Sequence, residues 1–187
     1  MKAMETSQRP MRQDAVRNRE RVLAAAREAF AEEGIQVPID EIARRADVGA
    51  GTVYRHFPTK EALYQAVLEE QFNGWNRNVR DGQLDPDPGK VFFALMESLV
   101  LGGQTRVDLS AALNPSDLTR ITASHQEFRE GLRGLFLRAQ AQGAVRSDLT
   151  FQEVHAVLAG AIAAQSGTVG ELTRATRRIL DTLRGAA

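Results

Sequence analysis

Apolar residues recur at helical spacing along most of this chain, and no stretch shows the strict alternation of a half-buried strand. The pattern predicts a first helix over 14–33, with Val16, Leu23, Ala26 and Phe30 on one face and Gly34 as its C-cap. Ile39, Ile42, Ala43 and Ala46 then fall at i, i+3, i+4 and i+7, the stripe of a short second helix. Asp40 and Glu41 stand in its first turn and Arg44 and Arg45 in its last, as the helix dipole favours. The turn Ala46-Asp47-Val48-Gly49 follows. Asp tolerates a left-handed backbone, Val48 can drop between two helices, and Gly49 is an acceptable N-cap. A third helix, from Ala50 to about Phe57, turns Val53 and Phe57 inward.

After Pro58, Thr59 caps a long helix that carries Leu63, Val67, Leu68, Phe72, Trp75 and Val79 inward and ends near Asp81-Gly82. Gln83 to Gly89, with two prolines, reads as a linker. Residues 91–100 are apolar nearly all round, the mark of a helix buried within a bundle, and Gly102-Gly103 stops it. The segment 105–116 is broken at Asn114-Pro115. A helix over 118–142 then presents Ile121, Phe128, Leu132, Leu135, Phe136 and Ala139, and Gly143 ends it. Two capping boxes, Thr150 with Glu153 and Thr168 with Glu171, open two further helices. The first shows Val154, Val157, Leu158, Ala161 and Ile162, flanked by the small residues Ala156, Ala159, Gly160, Ala163 and Ala164. The second shows Leu172, Ala175, Ile179 and Leu183. The expected fold is all-α: an N-terminal three-helix domain with a helix-turn-helix, followed by a second helical domain. The expected divisions are 1–13 as a flexible arm, 14–58 as the helix-turn-helix domain, and 59–187 as the remainder.

The third helix leaves Ala50, Gly51, Thr52, Tyr54, Arg55 and His56 outside. Hydroxyls, a guanidinium and an imidazole are the groups that meet base edges and phosphates. Gly51 costs the helix about 1 kcal/mol relative to Ala, a cost tolerated where another backbone approaches closely. Two short helices joined by a tight turn, with the second in the major groove, is how helix-turn-helix proteins read duplex DNA. Lys60 opposes the dipole of the long helix, which suits a phosphate at that helix end.

The run Gly51-Thr52-Val53-Tyr54-Arg55-His56-Phe57-Pro58-Thr59-Lys60-Glu61-Ala62-Leu63 resembles the signature of the tetracycline-repressor (TetR) family of bacterial transcriptional regulators. The match extends back through Ile42-Ala43 to Phe30 and Gly34, about the first third of the chain. There are departures: Asp47 stands where the family commonly has Gly, Gly49 where it has Ser, and Val37-Pro38 where a Ser or Thr often meets phosphate. The resemblance implies a repressor released from double-stranded operator DNA by a small-molecule effector, with Arg44, Ala50, Gly51, Thr52, Tyr54, Arg55, His56 and Lys60 at the DNA. It further implies an effector pocket in the C-terminal domain, for which Phe92, Met96, Leu99, His125, Phe128 and Leu132 are suitable lining. Gln104, Arg106, Asp108 and Arg120 are possible polar anchors. A homodimer is implied as well, joined through Val154, Leu158, Ala161, Ile162, Leu172, Ile179 and Leu183.

Composition narrows the alternatives. The 187 residues carry 24 basic and 24 acidic side chains, so charge alone cannot hold nucleic acid. Residues 1–27, however, hold seven Lys or Arg against Glu5, Asp14 and Glu20, which places a basic excess beside the helix-turn-helix. In the arm, Arg9 and Arg12 are candidates for the minor groove. The absence of Cys removes thiolate chemistry and fits a reducing cytoplasm. No apolar run approaches membrane-spanning length, so no membrane partner is expected. His56, His125 and His155 are scattered, the serines have no nucleophile setting, and no phosphate-cradling glycine loop occurs. Hence no catalytic residue, metal or cofactor is expected. Two other readings stay open: an effector-independent regulator, and a helical small-molecule or protein-interaction module without operator binding.

Overall fold

The computed structural model describes residues 8–163 and 169–185, though not the side chains at 8–12, 115–120 and 169–173. The described residues form nine helices: α1 (Gln8–Glu33), α2 (Ile39–Arg45), α3 (Ala50–His56), α4 (Lys60–Gly82), α5 (Pro88–Leu101), α6 (Gly103–Ala111), α7 (Pro115–Ala141), α8 (Phe151–Ala163) and α9 (Val169–Asp181). An antiparallel bridge between Val145 and Arg184 ties the chain after α7 to the chain after α9.

Four helices start earlier than the apolar pattern indicates. Pro88 and Gly89, expected in the linker, already belong to α5. Residues 8–13, expected as arm, continue α1, whose Pro10 stands in the first turn where no N–H is missed. Residues 1–7, and with them most of the expected arm, lie outside the described residues. Gly102 alone breaks the backbone before α6, and Gly103 is already helical. A Cβ at Gly103 would lie 2.4 Å from Ile162 Cγ1, so this glycine lets α6 sit against α8. Pro115 begins α7.

The long α4 is the spine. Near its start, Tyr64 meets Phe30 of α1 edge-on at 5.3 Å and donates a 2.6 Å hydrogen bond to the Ile35 carbonyl. Further along, Trp75 stacks on Phe128 of α7 at 5.5 Å, and the buried Asn76 donates to the Ser124 carbonyl at 3.0 Å. Arg138 of α7 reaches back to the end of α4, donating to the carbonyls of Gly82 (3.0 Å), Gln83 (2.5 Å) and Asp85 (3.0 Å). A cation on these orphan carbonyls both caps α4 and complements its dipole. Thr59 caps α4 through the Ala62 N–H at 3.1 Å, and Asp87 caps α5 through the Lys90 N–H at 2.9 Å. The Thr150–Glu153 capping box closes reciprocally, at 3.2 and 2.7 Å. The other expected box, at Thr168, falls outside the described residues.

Within the single chain, much of the expected dimer face on the two C-terminal helices is already covered. Val154, Leu158, Ala161 and Ile162 of α8 are buried within this chain's own core, as is Leu183 beyond α9. On α9 the inward positions are Thr176 and Leu180, with Ile179 only partly covered and Ala175 exposed. The Leu172 side chain lies outside the described residues. The physical reason is simple: a bundle must first bury its own large aliphatic side chains. Exposed on α8, besides Gln152, Glu153 and His155, are the small residues Ala156, Ala159, Gly160 and Ala163, at i, i+3, i+4 and i+7.

Candidate nucleic-acid interface and cavity

The α2–turn–α3 unit depends on one unusual backbone position. Asp47 has φ of 50°, the left-handed region in which Asp is tolerated. Arg21 of α1 holds that turn, donating to the Asp47 carbonyl at 3.0 Å and its carboxylate at 2.8 Å. Gly49 is extended and caps α3 only through its backbone. Val53 and Phe57 bury the inner side of α3, and the Ala50 methyl is partly buried against them, so Ala50 belongs more to packing than to recognition. On the outer side Gly51 and Arg55, four apart, are exposed, with Thr52 and His56 half-buried beside them and Tyr54 50% exposed.

Charge around this face is unevenly free. Arg44 forms a two-point pair with Glu41 (2.7 and 2.8 Å), and Arg45 bonds Glu41 at 2.9 Å, Glu32 at 2.7 Å, and Glu33. These hydrogen bonds, Arg44's first, hold the Glu41 carboxyl down at about 2. Arg44 is therefore already matched to an acid, which weakens its candidacy as a DNA contact. Arg19 of α1 lies with its guanidinium 5.3 Å from the Phe57 ring centroid, beside the end of α3. Lys60, at the first position of α4, has its ammonium 5.8 Å from the Tyr64 ring, and partial burial lowers its pKa. A phosphate at the α4 N-terminus would meet that ammonium together with free backbone N–H groups. Arg19, Arg21 and Tyr64 were not singled out from the sequence. Nothing in the helical spacing of α1 marks Arg19 and Arg21 as facing the turn, because that depends on how α1 crosses α3.

Gly51 has no packing role within the chain: a Cβ there meets nothing within 4 Å and its φ is ordinary. Gly51→Ala is therefore expected to raise stability by about 0.4–1 kcal/mol, through a stiffer unfolded chain, measurable by urea unfolding. The same methyl should weaken DNA binding if a phosphate backbone passes at this point. Unchanged DNA affinity would show that the close approach is elsewhere.

In the second half of the chain, a small cavity of about 70 Å³ is lined by Phe72 of α4, Leu99 of α5, Arg106 of α6, His125, Phe128, Arg129 and Leu132 of α7, and Phe151, His155 and Leu158 of α8. Leu99, His125, Phe128 and Leu132 are thus brought together as the sequence suggested. Phe92 and Met96 are not: both are 0% exposed and do not line this cavity, being turned into the core between α5 and its neighbours. His125 is an exposed rim residue 5.3 Å from Phe72, not a core histidine. Partial desolvation first, then the charges of Arg106, Arg129 and His155, push its pKa below the ordinary value. Arg106 stacks 5.2 Å from the Trp75 ring, and burial lowers its pKa too. Gln104 and Asp108, also considered as anchors, bond each other at 2.8 Å, and the Arg120 side chain lies outside the described residues. Among the described residues no group of three potential ligands can hold a metal ion. Among the described residues no helix is long and apolar enough to cross a membrane.

Two family models cover most of the chain. Residues 22–67 match the bacterial regulatory proteins of the tetR family, and residues 87–185 match the C-terminal domain of SbtR-like transcriptional regulators. The chain belongs to the TetR family of bacterial transcriptional regulators. A solved TetR regulatory protein from Mycobacterium vanbaalenii is 37% identical, with a TM-score of 0.70 over 94% of this chain and 99% of that one. A TetR regulator from Streptomyces coelicolor is 29% identical, with a TM-score of 0.69 over 90% and 99%. A curated relative, a helix-turn-helix transcriptional regulator of Staphylococcus aureus, is 39% identical over 64 residues, 34% of this chain. That match spans only 35% of the relative's length, so the likeness to it concerns one domain.

Proposed function

We propose that this TetR-family protein is a homodimeric repressor that binds duplex operator DNA in a bacterial cytoplasm and releases it when a small effector enters the α4–α8 cavity. Residues up to 58 are the DNA-binding domain, and 59–187 sense and dimerise. The observation that carries the reading is the continuity of α4. One helix holds Lys60 beside the recognition face, Tyr64 against α1, and Phe72 in the cavity wall. A ligand that prefers one position of Phe72 also selects one position of the helix-turn-helix, and differential affinity for the two arrangements suffices. Release then follows because two recognition helices must meet successive major grooves at a set spacing.

Selection of operators from random DNA tests the recognition face. Thr52→Ala should change base preference at one or two positions, at about 1–3 kcal/mol. Lys60→Ala should instead weaken binding to all sequences alike and lower the salt slope by about one unit. Unchanged preference for Thr52→Ala, or altered preference for Lys60→Ala, would overturn the assignment of this face. The second reading, a helical module without operator binding, draws on the zero net charge and on the pairing of Arg44 with Glu41. Affinity for random DNA that does not fall with salt would favour it.

A further inference from the structure

Arg106 is the odd residue of the cavity. Its Nη1 is shielded from solvent and has no hydrogen-bond partner. The guanidinium does stack on Trp75, but a ring face satisfies none of its N–H groups in the way an oxygen does. Shielding a guanidinium donor without an acceptor is costly, and chains retain such a group where something else supplies the acceptor. Glu70 of α4 does not supply it: its Oε2 is shielded and unpartnered as well, so the two do not bond each other, and Glu70 lines neither the cavity nor the adjoining groove.

The surroundings of Arg106 point the same way. His125, Arg129 and His155 stand at the cavity rim, and no Asp or Glu is among the lining residues. Arg106, His155 and Leu158 also line a groove of about 350 Å³ with Gln104, Val107, Ala159, Ile162 and Ala163, again without an acid. Cavity and groove together give a cationic inner point beside apolar walls formed by Phe72, Leu99, Phe128, Leu132 and Leu158. A metal ion or an amine is disfavoured by such a site. A planar anion on an apolar body fits, because the guanidinium fork matches a carboxylate at two points.

Resting on the effector-cavity reading above, we infer that the ligand of this protein is an amphipathic monocarboxylic acid, its carboxylate on Arg106 and its apolar body against Phe72, Phe128 and Leu158. A hydrogen-bonded charge pair at a shielded donor should favour the acid over the matching alcohol by about ten- to a hundred-fold.

The experiment is titration calorimetry of the full-length protein with two acids, octanoate and hydrocinnamate, and with their alcohols and amines of the same skeleton. The expected result is that at least one acid binds, at least ten-fold (~) more tightly than its alcohol, with no binding of its amine. In Arg106→Met, which keeps the length and apolar stem, acid and alcohol should bind equally while the melting temperature holds or rises. Glu70→Gln should leave the preference for the acid intact. Equal binding of acid and alcohol by the parent protein would overturn the carboxylate assignment while leaving the cavity standing. Binding of none of the six compounds would overturn the cavity reading and this inference together. A preference for the acid that survives Arg106→Met would place the carboxylate elsewhere and overturn the role given to Arg106.

Discussion

Ala159→Glu is expected to give a folded monomer that no longer holds its operator. Ala156, Ala159, Gly160 and Ala163 form the uncovered face of α8, and such small residues allow a second helix to approach closely. A glutamate in the middle of that contact would have to be desolvated without a partner, a cost that a dimer of ordinary affinity does not withstand. Because two linked half-site contacts can exceed one by about 10²–10⁴ in affinity, operator binding should fall by a comparable factor. Sedimentation and circular dichroism check both halves of the statement. Ala161→Glu supplies the contrast. Ala161 is 7% exposed and lies on the inner face, so its replacement should unfold the chain rather than separate two copies. A dimer that survives Ala159→Glu at micromolar concentration would remove α8 from the interface.

Phe30→Ala is expected to cost about 3–5 kcal/mol, the range for deleting a buried aromatic ring. Phe30 is 1% exposed and is the ring through which α1 meets Tyr64 of α4. Its loss leaves a cavity at the joint between the helix-turn-helix and the spine, and for a chain of this size the melting temperature should drop by on the order of 10 °C. Tyr64→Phe isolates the polar part of the same joint. It keeps the ring contact but leaves the Ile35 carbonyl without its 2.6 Å donor, at about 1–3 kcal/mol. Thermal and urea unfolding measure both, and a loss under 1 kcal/mol (~) for Phe30→Ala would mean that the joint repacks freely. In the proposed mechanism the joint is also the route by which the cavity reaches the DNA-binding face. Tyr64→Phe should therefore reduce effector response more than it reduces operator affinity.

Helical spacing, capping and turn chemistry are local, and the chain carries them openly. The stripe of Ile42, Ala43 and Ala46, the left-handed Asp47, the N-cap at Thr59 and the box at Thr150–Glu153 each concern residues within four positions of one another. The outer face of α3 was legible for the same reason: once Val53 and Phe57 turn inward, the helical period dictates what turns out. Helix starts were less legible at Gln8 and Pro115, since proline is as acceptable in a first turn as in a loop.

What no local rule contains is which apolar face meets the chain itself and which is left for a partner. Leu158 and Ile162 read equally well as core or as interface, and only the packing of α8 on α5 and α6 turned them inward and left the small residues outside. Thr176, polar by type, proved to be an inner position of α9. Arg21 on the Asp47 turn and the Arg106 donor without an acceptor likewise join or isolate groups far apart in sequence. Spacing along a helix gives direction around its own axis, whereas burial depends on the angle and depth at which helices cross, and those are properties of the assembled bundle.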